Sequence, residues 1–101
     1  MWKTSLKSVN PRITLNTGAS LSVQASSSHY CLPRDDRGPY THYEMAFPRG
    51  LEECDLILLK EFEEPSCLGD SSGSGVYPYV PKGVINKIIN RHGGIRVGRL
   101  P

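Results

Sequence analysis

The residues best equipped for chemistry in this chain are His29, Cys31 and His42. On an extended strand His29 and Cys31 share a face, so a thiol and an imidazole could serve as nucleophile and base. With His42 they could also contribute to a zinc ligand set. Both readings stop early. Nothing nearby marks an oxyanion hole or a third residue to orient the base. A zinc site of the usual kind takes close ligand pairs from two loops, and only one loose pair is present. A buried, reduced cysteine is the commoner state of such a thiol. Cys31, Cys54 and Cys67 are odd in number and widely spaced, so they close no disulfide framework. The string Gly69-Asp70-Ser71-Ser72-Gly73-Ser74-Gly75 lacks the lysine and following hydroxyl of a phosphate loop and precedes a strand. It also resembles a protease nucleophile string, but 101 residues cannot supply the two-barrel frame such a triad needs. The expectation is a protein with no catalytic centre, no cofactor and no metal.

Binding is the stronger reading. Tyr30, Tyr40, Tyr43, Tyr77 and Tyr79, with Arg34, Arg37 and Arg49, form an aromatic and guanidinium set suited to protein contacts or base stacking. Charge is segregated along the chain. Residues 1–34 carry Lys3, Lys7, Arg12 and Arg34 and no acid; residues 51–70 carry Glu52, Glu53, Asp55, Glu61, Glu63, Glu64 and Asp70 against Lys60; residues 71–101 carry Lys82, Lys87, Arg91, Arg96 and Arg99 and no acid. The net charge is only +2, below what nucleic-acid domains usually carry, and no nucleic-acid motif accompanies it. Segregated charge either steers a charged partner or pairs internally on folding. The expected contact residues are Arg34, Asp35, Asp36, Arg37 and Tyr40 in one loop, Glu52 and Glu53 at a helix start, Tyr77 and Tyr79 on a late strand, and Lys87 and Arg91 on the solvent side of a C-terminal helix.

The elements that must position these residues follow from periodicity. Ile13 to Asn16 and Ser20 to Ala25 alternate apolar and polar about Asn16-Thr17-Gly18, which predicts a hairpin burying Ile13, Leu15, Leu21, Val23 and Ala25 on one face. His29 to Leu32 and Tyr40 to Phe47 flank the breaker-rich stretch from Pro33 to Pro39, predicting a second hairpin with a long tip, stopped by Pro48-Arg49-Gly50. Leu51, Cys54, Leu58 and Phe62 follow helical spacing, and acids at its start favour a helix over a buried strand, with Pro65 as its end. Val76 to Val80 reads as a short strand that Pro78 assigns to an edge. Pro81 opens a helix whose stripe is Val84, Ile85, Ile88 and Ile89, and Gly93-Gly94 ends it. The expected architecture is one α+β domain, a small antiparallel sheet packed against the C-terminal helix and a second short helix. An extended N-terminal arm (1–11), a flexible loop (66–75) and a basic tail (95–101) complete it.

Two stretches resemble small proteins encoded by bacteriophages and prophages, some of which are accessory or anti-CRISPR inhibitors. They run from Asn16-Thr17-Gly18-Ala19-Ser20-Leu21-Ser22-Val23-Gln24-Ala25-Ser26 through His29-Tyr30-Cys31 to Pro33-Arg34, and from Val76-Tyr77-Pro78-Tyr79-Val80-Pro81 to His92-Gly93-Gly94. The resemblance implies a single domain that binds a host protein complex, such as a CRISPR effector, stoichiometrically and without a cofactor. A nucleic-acid-binding accessory protein is the second expectation and a small Cys/His enzyme the third. The longest apolar run, Leu56 to Leu59, is far short of a membrane span, and Met1 to Asn10 contains no apolar signal core. The expected location is therefore the cytoplasm, there of the bacterial host.

Overall fold

The computed structural model describes residues 10–63 and 75–101. Five strands form one antiparallel sheet: β1 (Ile13–Leu15), β2 (Ser20–Gln24), β3 (His42–Arg49), β4 (Val76–Pro81) and β5 (Ile95–Val97). Their order across the sheet is β4-β3-β2-β1-β5. Among the described residues two helices, α1 (Glu53–Lys60) and α2 (Lys82–Arg91), join the sheet to make an α+β fold. No described helix is long and apolar enough to cross a membrane.

The first hairpin forms as its alternation requires. Ile13 pairs with Leu21 and Thr14 with Ser20. Gly18 turns the chain at φ 95°, a conformation that costs a side-chain-bearing residue steric strain. Ile13, Leu15, Leu21, Val23 and Ala25 are all buried.

The second hairpin is corrected. His29 to Leu32 forms no strand; its pairing with β3 is one bridge, Leu32 to His42. The main partner of β3 is instead β2, with Val23 opposite Met45 and Gln24 opposite Glu44. On its other side β3 pairs with β4, Tyr43 lying opposite Val80. A strand with an apolar face finds the longest ladder open to it, and the proline-rich tip leaves His29 to Leu32 only a single bridge to β3. Pro48 does not stop β3, which runs on to Arg49. Pairing with β4 ends at Ala46, so Pro48 sits where that side of the strand asks for no ladder hydrogen bond.

In α1 the buried stripe is displaced by one residue from the expected one. Asp55 and Leu59 are buried while Cys54 is exposed, and Leu51, Leu58 and Phe62 pack half-buried against the core. Asp55 takes the position that the apolar pattern offered to Cys54. The expected stop at Pro65 and most of the 66–75 loop, like the arm up to residue 9, lie outside the described residues.

Helix α2 starts at β4, one edge of the sheet, and delivers the chain to β5 at the other, so it has to cross the sheet face. It buries Ile85, Ile88 and Ile89 in the one core cluster that also holds Tyr43, Met45 and Val80. Each fully buried isoleucine contributes about 1.5–3 kcal/mol relative to exposure. Gly93 and Gly94, at φ 80° and 96°, end the helix in a Schellman motif, in which the Gly94 N–H reaches Ile89 O at 2.9 Å and the Gly93 N–H reaches Asn90 O at 3.1 Å. Because the turn is this tight, the chain re-enters the sheet at once. The expected tail is therefore corrected at its start, where Ile95–Val97 is an edge strand pairing Leu15 with Ile95 and Thr14 with Val97.

Candidate functional site

Two arrangements stand out. One is a surface ledge of two tyrosines. Tyr79 lies on edge strand β4, and its N–H donates to Tyr30 O at 3.1 Å, tying the 29–32 segment to the sheet edge. The Tyr30 N–H is held in turn by Glu44 Oε1 at 3.0 Å. The ring centroids are 5.8 Å apart at 45°. Arg34 lies over the outer ring, its Cζ 5.3 Å from the Tyr30 centroid, in a cation–π contact. Tyr30, Leu32 and Tyr79 are 41%, 44% and 39% exposed. Tyr79 adopts φ 55°, a left-handed conformation that costs a residue with a side chain about 1–2 kcal/mol. The fold sustains that strain while presenting the ring to solvent.

The loop beside the ledge is braced by its own acids. Asp35 Oδ1 accepts the Gly38 N–H at 2.9 Å and the Arg37 N–H at 3.0 Å, and these two bonds hold its carboxyl below the ordinary value. Asp36 Oδ1 accepts the Ser27 N–H at 2.8 Å. Tyr40 donates its hydroxyl to Asp35 O at 2.9 Å.

The expected contact residues therefore divide. Arg34 and Tyr79 meet in the ledge, with Arg37 exposed on the adjoining loop. Asp35 and Asp36 are exposed but committed to loop hydrogen bonds. Tyr40 and Tyr77 are corrected to core residues, each 7% exposed, and burial first of all pushes both phenols up. Glu53 and Lys87 are exposed on α1 and α2, apart from the ledge. Glu52 and Arg91 are drawn into the second arrangement, so Arg91 is not a free solvent-side cation.

That second arrangement is a polar clip at the junction of α1, α2 and the β1–β2 turn. Asp55, fully buried, accepts the Glu52 N–H on Oδ2 at 3.0 Å, which caps the start of α1. Arg91 Nε donates to Asp55 Oδ1 at 2.8 Å. His92 Nε2 lies 2.8 Å from Asp55 Oδ2, and its Nδ1 lies 2.5 Å from Thr17 Oγ1. Arg91 also reaches Glu52 Oε1 at 3.4 Å and touches Cys54 Sγ. Burial pushes the Asp55 carboxyl up, but hydrogen bonds from His92, Arg91 and the Glu52 N–H outweigh it and hold the group below its ordinary value. Asp55 is thus a carboxylate, which can only accept; Nε2 of His92 carries a proton toward it, and in the neutral ring Nδ1 is left to accept from Thr17. Glu52, Asp55 and His92 place donor atoms within 4.8 Å of one another, a spacing a metal ion could bridge. The Arg91 guanidinium already supplies the positive charge at these oxygens.

Thr17, Asp55 and His92 were not among the expected functional residues. The signals available were Glu52 and Asp55, three residues apart at a helix start, and a histidine just before Gly93-Gly94.

The His29, Cys31 and His42 cluster does not assemble. His29 is buried, its Nδ1 2.6 Å from Ser26 Oγ, and its Nε2 has no hydrogen-bond partner among the described residues. Cys31 donates to Ser26 O at 3.2 Å, and burial pushes its thiol up, away from the thiolate. His42 Nδ1 lies 2.9 Å from Thr41 Oγ1. Among the described residues these three form no compact set of metal donors.

No family model, no curated protein and no solved structure matches this chain.

Proposed function

We propose that this protein is a small binding module that acts by stoichiometric contact with a partner protein, through the ledge of Tyr30, Tyr79 and Arg34. The observation that carries this reading is Tyr79, held at φ 55° with its ring exposed beside a second exposed tyrosine. This conformation sits at the irregularity in the β3–β4 ladder, where Tyr77 and Val80, three residues apart, both face the core and the intervening Tyr79 ring is turned out to solvent beside Tyr30. Tyrosine and arginine are also the residues that most often dominate protein–protein contacts, because they offer large area at low entropic cost and a polar handle. Leu32, two residues beyond Tyr30, adds exposed apolar surface to the same segment.

The resemblance of the sequence to phage-encoded accessory proteins selects the partner class: a bacterial defence complex, a CRISPR effector first among them. The experiment is capture from bacterial lysate, with and without nuclease treatment, by the intact protein, in parallel with a Tyr30→Ala, Tyr79→Ala double variant of equal thermal stability. A defence complex retained by the parent protein and lost by the double variant is the expected result. Retention of nucleic acid alone, or equal capture by both proteins, overturns the proposal and favours a nucleic-acid accessory role.

A further inference from the structure

The polar clip contains more than a structural role requires. Holding α1 to α2 needs only Asp55 with Arg91 and His92, yet the ring nitrogen of His92 that points away from Asp55 is aimed at a hydroxyl on the protein surface. Thr17 is exposed in the β1–β2 turn, while His92 and Asp55 behind it are buried, at 3% and 0% exposure. Thr17 Oγ1 is 2.5 Å from Nδ1, and Nε2 is 2.8 Å from Asp55 Oδ2. A hydroxyl, an imidazole and a buried carboxylate therefore lie in series, the arrangement that raises the nucleophilicity of an alcohol by giving its proton somewhere to go. Asp55 shares its charge with Arg91, so its main effect is to fix the His92 tautomer that leaves Nδ1 as the acceptor. On the Gly18 side the space is open, since a Cβ built there would meet no atom within 4 Å, whereas the Gly93-Gly94 turn beside His92 is covered by the Asn16 side chain, 3.4 and 3.5 Å from where their Cβ atoms would stand.

We infer that Thr17 is an acyl-accepting nucleophile, modified by small activated esters with His92 as its base. In the step, Thr17 Oγ1 forms a bond to the carbonyl carbon of the ester and its proton passes to His92 Nδ1. The carbonyl–oxygen bond to the leaving alcohol breaks, and that oxygen takes the proton from the imidazolium. The products are an acyl-threonine ester and the free alcohol, with His92 neutral again. The function proposed for the tyrosine ledge is independent of this site.

The chain supplies its own control. Thr41 is also exposed and its Oγ1 also lies near an imidazole Nδ1, that of His42 at 2.9 Å. Its hydroxyl also lies 3.3 Å from Leu32 O, which competes for its proton, and among the described residues no carboxylate pairs with the His42 ring as Asp55 does with His92. The full chain would be incubated with p-nitrophenyl acetate at neutral pH and the acetylated positions mapped by peptide mass spectrometry. Acetylation of Thr17 at least about 100-fold faster than of Thr41 is the expected result. Thr17→Ser should keep the labelling, Thr17→Val should abolish it, and His92→Gln should slow it by about the same factor in folded protein. Equal labelling of Thr17 and Thr41, or acetyl groups confined to lysines and thiols, overturns the inference. Because the comparison of Thr17 with Thr41 is made within the parent protein, it stands even where His92→Gln fails to fold.

Discussion

Asp55 and His92 lie 2.8 Å apart with both side chains almost wholly out of solvent, joining the first turn of α1 to the residue that caps the end of α2. The two helices are otherwise far apart in the chain, so this pair and the Arg91 bond beside it fix their mutual placement. A buried carboxylate that loses its partners costs far more than a surface ion pair contributes, because the desolvation remains. Asp55→Ala leaves Arg91, which is partly exposed, to rehydrate, but orphans the Glu52 N–H and His92. The expected loss is about 3 kcal/mol, read as a lower urea midpoint at unchanged slope.

The same carboxylate sets an acid limit. Its value in the folded protein is below the ordinary one, so the unfolded state binds the proton more readily. The stabilisation is complete above the unfolded value, near pH 4, and is lost progressively as the pH falls through the folded value. Urea midpoints measured from neutral to strongly acid pH should fall for the parent protein below about pH 4. In Asp55→Asn the curve should start lower and flatten over that window; an unchanged acid slope would place the effect elsewhere.

Tyr79 offers a test of stored strain. At φ 55° glycine is unstrained, whereas alanine keeps the clash of its Cβ with the backbone. Both substitutions remove the same exposed ring, so their difference isolates the backbone. Tyr79→Gly is expected to be more stable than Tyr79→Ala by about 1 kcal/mol, measured by denaturant unfolding.

Gly94 should behave in the opposite sense. It holds φ 96° in the turn that ends α2, and an added Cβ would meet Asn16 Nδ2 at an ordinary 3.5 Å. Space is therefore not the obstacle. Gly94→Ala is expected to cost about 1–2 kcal/mol through the dihedral alone, with a fall in melting temperature.

Thiol accessibility separates two of the cysteines. Cys54 is exposed and Cys31 is fully buried with its thiol pushed up by burial. In a Cys67→Ser background, Ellman's reagent should titrate one thiol in the native protein and a second only on unfolding. Peptide mapping should place the fast one at Cys54.

Much of the fold is legible in local pattern, for a physical reason. Alternation from Ile13 to Ala25 assigns every apolar side chain to one face, so one register satisfies it and the first hairpin forms. Val84 to Ile89 between Pro81 and Gly93-Gly94 defines α2 in the same way, since the boundaries are set by residues that cannot continue a helix. These are properties of neighbours in the chain, and the chain alone determines them.

What the tertiary structure decided are the contacts between distant segments. Nothing local favours β2 over His29 to Leu32 as the partner of β3; the longer ladder wins once all strands are present. Ile95–Val97 reads as a basic tail until the crossing of α2 sets it beside β1, where pairing offsets the entropy of ordering it. Tyr40 and Tyr77 go inward while Tyr30 and Tyr79 stay outside, although all four are flanked by similar residues, because facing depends on register against other strands. Asp55 looks like one acid in an acidic run, and only the arrival of Arg91 and His92 from the far end of the chain makes its burial affordable.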